Sequence, residues 1–295
     1  MRKFDYRTVD VFTDRRFGGN PLAVFTDARG MSDEEMLRLS AEMNLSETTF
    51  VLPPDDPANT ARVRIFNRTA EMPFAGHPNV GTAFVLASTG RASGEVLRFE
   101  EMAGIVEVDL VRDAGMVGGA SIKAPRPLEL LGEVEPAAVA GCIGADPAKI
   151  VLDRHPPVVA SVGVDFVIAE FAPEALGRAT PDLAAFRAAR AASGLSTDRL
   201  SLFCYARDGG GVRARMFAPL AGTWEDPATG SANATLAALL LSLGGDERIA
   251  FRSTQGVEMG RRSVLDVHAW RADDGIRAGV GGSCVPMFTG SVELD

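Results

Sequence analysis

The stretch Glu71-Met-Pro-Phe-Ala-Gly-His-Pro-Asn-Val-Gly-Thr-Ala83 returns in altered form as Glu225-Asp-Pro-Ala-Thr-Gly-Ser-Ala-Asn-Ala-Thr-Leu-Ala237. Glu71, Pro73, Gly76 and Asn79 match Glu225, Pro227, Gly230 and Asn233 at a constant offset. An Arg-x-Arg-x-Phe segment precedes each copy, Arg62 to Phe66 and Arg213 to Phe217, at unequal spacing. An almost wholly apolar run follows each. One copy at such long range signals a duplicated domain rather than a solenoid. Where the copies differ, His77 against Ser231, the halves carry different chemistry.

The rest of the chain supports two domains. Its 295 residues suffice for two ordinary cores, and 46% hydrophobic with 23% charged residues is a globular composition. A net charge of -9 without a basic block gives nucleic acid no electrostatic footing. No apolar run reaches the roughly 18–20 residues that span a bilayer, and the residues after Met1 do not read as a signal peptide. A cytoplasmic protein is expected. Cys142, Cys204 and Cys284 are isolated and read as buried hydrophobes; His77, His155 and His268 lack ligand spacing. No metal is expected.

Short strands are predicted at Phe4 to Phe12, Leu22 to Phe25, Thr48 to Leu52 and Ala61 to Phe66. Ser32-Asp-Glu-Glu35 is a capping box opening an amphipathic helix. A helix starting near Pro78 or Asn79 is apolar on nearly all faces and belongs inside a core. Three more strands follow, and the domain boundary falls at 126/127, with residues 283–295 returning to the first domain. Residues 127–282 repeat the programme, with strands that include Ile150 to Leu152, a Gly-Gly-Gly hairpin turn at Asp208 to Gly211, and the buried helix Ala232 to Leu243. Gly279-Val-Gly-Gly-Ser283 separates the last two strands.

A glycine before a buried helix lets a ligand approach unpaired N–H groups that carry partial positive charge. Gly76-His-Pro-Asn79 and Gly230-Ser-Ala-Asn233 therefore read as mouths for a small carboxylate. The plain alternative is that Asn79, Ser231 or Asn233 merely caps a helix; the repetition favours the functional reading. No nucleotide-phosphate fingerprint accompanies them. Glu71 and Glu225 read as braces of the repeated turn, Arg64 and Arg215 as strand-face charges. Trp224 could line the site or only pack.

Asn44-Leu-Ser-Glu47-Thr-Thr-Phe50, Pro73-Phe-Ala-Gly-His77-Pro-Asn-Val-Gly-Thr-Ala83 and Glu225-Asp226-Pro-Ala-Thr-Gly-Ser231-Ala-Asn-Ala234 together resemble the phenazine-biosynthesis PhzF-like family. Phe17-Gly-Gly-Asn-Pro-Leu-Ala-Val24 and Val280-Gly-Gly-Ser283 also fit, so the resemblance spans the chain. It implies the α+β, diaminopimelate epimerase-like fold: two pseudo-symmetric domains, each a rolled or barrel-like, mostly antiparallel sheet around a central buried helix, with the active site between them. The epimerase branch of that superfamily carries a thiol before each motif glycine; Ala75 and Thr229 stand there here, which argues against two-thiol racemisation.

The resemblance assigns the proton shuttle to Glu47, with His77, Asp226 and Ser231 as supporting catalytic positions; Gly76, Asn79 and Gly230, at the two helix starts, are the expected substrate-binding positions. It implies no cofactor and a homodimer. The function expected is a cofactor-independent isomerase moving a proton on a small cyclic or amino-acid-derived carboxylate. A one-base epimerase or lyase on the same scaffold, or a non-catalytic small-molecule binding protein, are the alternatives.

Overall fold

The computed structural model describes residues 1–193 and 199–295. The chain forms two compact units, one of residues 1–123 with 281–295, the other of residues 124–280.

In the first unit, β1 (Arg2–Val11) and β2 (Asn20–Phe25) run antiparallel. Helix α1 (Asp33–Met43) carries the chain over to β3 (Glu47–Leu52), which lies parallel to β2, as a crossover connection allows. The capping box forms: the Ser32 hydroxyl accepts from Glu35 N–H, and the Glu35 carboxylate accepts from Ser32 N–H at 2.7 Å. Asn44 ends the helix in the left-handed conformation, φ 51°, and the short link beyond it delivers Glu47 to the first position of β3. Strand β4 (Ala61–Phe66) pairs antiparallel with β3, and the short β5 (Glu71–Met72) folds back on β4.

After α2 (Gly76–Ser88) come β6 (Val96–Glu101), parallel to β4, then β7 (Gly104–Asp113) and β8 (Met116–Lys123) as an antiparallel meander. Strand β8 pairs with the final strand of the chain, and that strand pairs with β1. The ring closes as an 8-strand barrel. Helix α2 packs against β1, β2, β3, β7 and β8, and its residues from Gly76 to Leu86 are buried. That burial explains a helix apolar on every side. At Gly81 a Cβ would lie 2.6 Å from a Leu22 methyl and 2.8 Å from one of Val11, so glycine sets the close approach of helix to sheet. Helix α1 covers the barrel exterior over Phe4, Phe25, Phe50 and Phe66, with Phe25 and Phe50 stacked at 4.9 Å.

The second unit contains β9 (Glu129–Glu133), α3 (Pro136–Cys142), β10 (Val158–Ser161) and β11 (Asp165–Glu170). Helices α4 (Pro173–Arg178) and α5 (Leu183–Ala192) precede β12 (Leu202–Asp208) and β13 (Gly211–Ala218). Then follow β14 (Thr223–Asp226), α6 (Gly230–Ser242), β15 (Arg248–Gln255), β16 (Ser263–Ala272) and the start of β17 (Gly275–Leu294). From β10 to β16 the pairings are antiparallel, parallel across the helices, antiparallel, parallel from β13 to β15, and antiparallel. The same series of senses runs from β1 to β7. Helix α6 is the counterpart of α2, buried among Ile168, Phe203, Tyr205 and Met216. Each half is thus a mostly antiparallel barrel-like sheet around one helix, an α+β fold built twice.

Three local expectations are corrected. Residues 150–152 form no strand; Ile150 makes one isolated bridge to Phe171 after a 3-10 turn at Pro147–Lys149. The glycines from Gly279 to Gly282 do not interrupt the last strand, because β17 runs unbroken from Gly275 to Leu294. They permit close strand contact instead: a Cβ on Gly281 would lie 2.7 Å from the Ser121 side chain, and one on Gly119 would overlap the Gly282 carbonyl. Both buried helices also begin earlier than their sequences suggest, at Gly76 and Gly230, with Ala75 and Thr229 in the cap positions.

Candidate active site

At the first helix start, Ala75 is extended and offers no side-chain cap. The leading N–H groups of α2 therefore point outward without an intrahelical partner, and Pro78, within the first turn, has none to satisfy. Asn79 is not a cap. It sits one turn inside the helix, fully buried, and its Nδ2 donates back to Ala75 O at 3.0 Å.

His77 lies on that first turn, 5% exposed. Its Nδ1 is 3.5 Å from Glu47 Oε2 and 3.5 Å from Asn20 Nδ2. Burial lowers its pKa from 6.5 to about 3, so the ring is neutral near pH 7 and its contact with Glu47 is not an ion pair. Nε2 is buried and has no hydrogen-bond partner among the described residues. In the tautomer in which Nδ1 accepts from Asn20 Nδ2, the proton sits on Nε2 and is a donor available to a bound molecule. Glu47, 18% exposed at its side chain, is held at the head of β3, next to the helix start in space and thirty residues away in sequence.

Asn20 is a functional candidate that pattern reading passed over as part of a turn. It is 1% exposed, and its Oδ1 accepts from Ser46 Oγ at 2.9 Å. The loop before it holds Phe17 at φ 68° and Gly19 at φ 64°, while Asp10 Oδ2 accepts from Phe17 N–H at 2.8 Å. A side chain at Gly19 would overlap the Val11 carbonyl. The Phe-Gly-Gly-Asn motif thus exists to turn the chain tightly and present Asn20 to His77.

The second helix start uses the same frame with other groups. Asn233 Nδ2 donates to Thr229 O at 2.9 Å, as Asn79 does to Ala75, so Asn233 and Ser231 are not caps either. Gln255, at the end of β15, joins the turn together: its Oε1 accepts from Thr229 N–H at 3.2 Å and Asn233 Nδ2 at 3.0 Å. Its Nε2 donates to Asp226 O at 2.8 Å and Thr229 Oγ1 at 3.1 Å. Asp226 is 8% exposed, and its Oδ2 accepts from Thr229 Oγ1 at 2.5 Å. Ser231 is half-buried on the first turn, and Gly230 opens the helix. Trp224, on β14, is 54% exposed.

The glutamates of the two motifs are braces. Arg64 grips Glu71 through two bonds of 2.7 and 2.6 Å, and Arg215 grips Glu225 through two of 2.8 and 2.9 Å. Arg215 also donates to Leu176 O and Ala179 O. The unequal Arg-to-Glu spacing has a simple cause: the three-residue 3-10 turn Pro219–Ala221 is inserted between β13 and β14. Among the described residues, no group of three or more His, Cys, Asp or Glu could hold a metal, and no helix is long and apolar enough to cross a membrane.

Similarity to known proteins agrees with the fold. Residues 9–290 match the phenazine biosynthesis-like protein family. An uncharacterised isomerase of Mesorhizobium japonicum is 37% identical over 90% of both chains. The trans-2,3-dihydro-3-hydroxyanthranilate isomerase of Pseudomonas chlororaphis is 36% identical over 98% of this chain and 99% of its own. Among solved structures, a PhzF-family protein of Bacillus anthracis superposes with a TM-score of 0.88 at 23% identity, covering 100% of both chains. A predicted epimerase of Pseudomonas aeruginosa gives 0.79 at 30% identity, over 99% of this chain and 100% of its own. The chain belongs to the phenazine biosynthesis-like family and is a PhzF-like isomerase.

Proposed function

We propose that Glu47 is the single acid/base of a cofactor-independent isomerisation, moving a proton between two carbons of one small conjugated carboxylate. The observation that carries this reading is the grouping of a carboxylate, a neutral imidazole and an uncapped helix N-terminus at one place in the first unit. A base that returns the proton it removes needs a donor beside it that does not itself titrate near pH 7, and His77 has that character. Glu47 takes a proton from an activated C–H bond, the electron pair spreads through the conjugated system, and the resulting acid protonates the far carbon. Donors from the start of α2 and His77 Nε2–H stabilise the negative charge that develops between those steps. Glu47 ends as it began, and no atom is gained or lost.

Asp226, Ser231 and Gly230 are assigned to orienting the substrate, Gly76 to letting it approach the helix start, and Asn79 to holding that start in shape. The absence of a thiol at Ala75 and Thr229 supports a one-base route over an opposed pair of cysteines. The substrate class is a cyclic amino- or hydroxy-carboxylate with an extended double-bond system, of which trans-2,3-dihydro-3-hydroxyanthranilate, named for the Pseudomonas relatives, is the first to try.

The test is solvent-deuteron incorporation into that compound, followed by NMR, with wild type and Glu47→Gln. A loss of about a thousandfold in the variant is expected; undiminished incorporation would remove Glu47 from the role. The 30% identity to a predicted epimerase keeps one-base epimerisation as a second reading. It would return the deuteron to the carbon that lost the proton, with inverted configuration, and the same spectra distinguish it.

A further inference from the structure

Glu101 closes β6 in the first unit and Gln255 closes β15 in the second. The two stand at the offset of the repeated motif, 154 residues (255 − 101, as 225 − 71). Each also lies 22 residues beyond its motif asparagine (101 − 79, 255 − 233), and each ends the strand paired parallel to the Arg-x-Arg-x-Phe strand. Gln255 makes four hydrogen bonds to its helix start, accepting with one atom and donating with the other. Glu101 has a like position, under a turn anchored by the bond from Ala103 N–H to Pro73 O at 3.1 Å. Yet both of its carboxylate oxygens are shielded from solvent and have no fully formed hydrogen bond among the described residues. The Asn79 side chain is the polar group that faces it, and Asn79 Oδ1 is likewise unpartnered.

An ionised carboxylate there would be a buried anion with no cation beside it, a costly arrangement. A carboxylic acid, by contrast, has the hydrogen-bonding pattern of an amide: one oxygen accepts and the other donates. We propose that Glu101 is a positioning residue of the Glu47–His77 site, kept as a neutral acid that accepts from Asn79 and donates into the Met72–Ala75 turn, doing for α2 what Gln255 does for α6. The carbonyl corresponding to Asp226 O, the acceptor of Gln255, is Met72 O. Desolvation raises the Glu101 pKa from 4.5 to about 8, with Asn79 opposing the shift. The charged groups on neighbouring elements are engaged elsewhere. Arg64 of β4 holds Glu71 of β5 and Asp33, and Arg62 of β4 faces Asp55. Glu100 of β6 binds Asn59 and the backbone of Asp55 and Asp56, and Glu107 of β7 holds Arg98. His77 of α2 is neutral near pH 7.

This inference deepens the isomerase reading and rests on it for its effect on rate, but the protonation state can be read without turnover. In the full-length protein, the Glu101 side-chain carbon should remain that of a protonated acid at pH 7 by ¹³C NMR and titrate near pH 8; a midpoint near 4.5 overturns the proposal. Glu101→Met should slow proton exchange about tenfold by loosening the first turn of α2, while Glu101→Gln restores it to within about twofold. The Gln variant should also lose the fall in wild-type stability between pH 4.5 and about 8 that follows from a raised acid pKa. A Gln variant as impaired as Met, or one that keeps that pH dependence, overturns the assignment. Failure of Glu47→Gln to affect exchange would sink the proposed reaction yet leave the Glu101 titration as it stands.

Discussion

The two helix starts of this chain share a skeleton and differ in what they leave open. At the second, Gln255, Thr229 and Asn233 tie the turn, and Asp226 is bonded to Thr229. At the first, Ala75 replaces Thr229, Glu101 replaces Gln255, and the buried His77 Nε2 has no partner among the described residues. A gene duplication supplies two copies of the same scaffold, so the differences isolate what was altered for chemistry. The well-bonded copy shows what the frame needs for stability. The sparser copy has given up some of that bonding beside Glu47, where unpaired donors have a use.

The comparison is most severely tested at the arginine braces. Arg215 is 6% exposed and serves Glu225 as well as two helix carbonyls, so Arg215→Met should lower stability by about 3–5 kcal/mol in urea denaturation, through stranded buried acceptors. An equal loss at Arg64 would show that the second frame is not the more heavily tied.

His77→Gln comes next. Proton exchange should drop about a hundredfold while the fold is kept. Its acid behaviour follows from linkage: the native pKa lies at about 3 against 6.5 in the unfolded chain, so the unfolded state takes up the proton first. Stability present above pH 6.5 is lost as pH falls from there towards 3. Urea midpoints at pH 7 and pH 4 should therefore separate more in wild type than in the Gln variant; equal separation would place His77 in contact with solvent. The smallest effect belongs to Arg64→Met, about 1–2 kcal/mol, because Arg64 is more exposed and caps no helix carbonyl.

The duplication and the two buried helices were legible because each leaves a linear mark: a repeated word and an apolar run with no polar face. The bracing role of Glu71 and Glu225 could also be read, since a carboxylate kept in both copies near an arginine has a structural use. Asn20 was not legible as a partner of His77, nor Ser46 as a partner of Asn20, because barrel closure, rather than sequence proximity, brings β2 and α2 together. Glu101 and Gln255 did carry a linear signal, the shared offset, but acid and amide look unlike until their surroundings reveal the same bonding need. The glycines of β17 misled for a related reason: Gly279 to Gly282 resemble a turn when read alone, and only the approach of Gly119 shows why no side chain fits. The helix starts were placed too late because Pro78 and Asn79 look like boundary residues, whereas an uncapped Ala75 leaves no mark.

One consequence of strand β17 concerns the order of events during synthesis. It pairs Leu294 with Arg2 and Cys284 with Val11, so the barrel that contains Glu47 and His77 lacks one stave until residues 284–294 have left the ribosome. The second unit has no such dependence beyond residue 280. The usual N-to-C order of domain folding is thereby reversed: the later-made unit can consolidate first, and the earlier one waits with an open β1 edge exposed to mispairing. Arrested nascent chains ending near residue 280 and beyond 295 in linker sequence should differ in protease resistance of the first unit. Equal protection in both would show that the ring is stable without its closing strand.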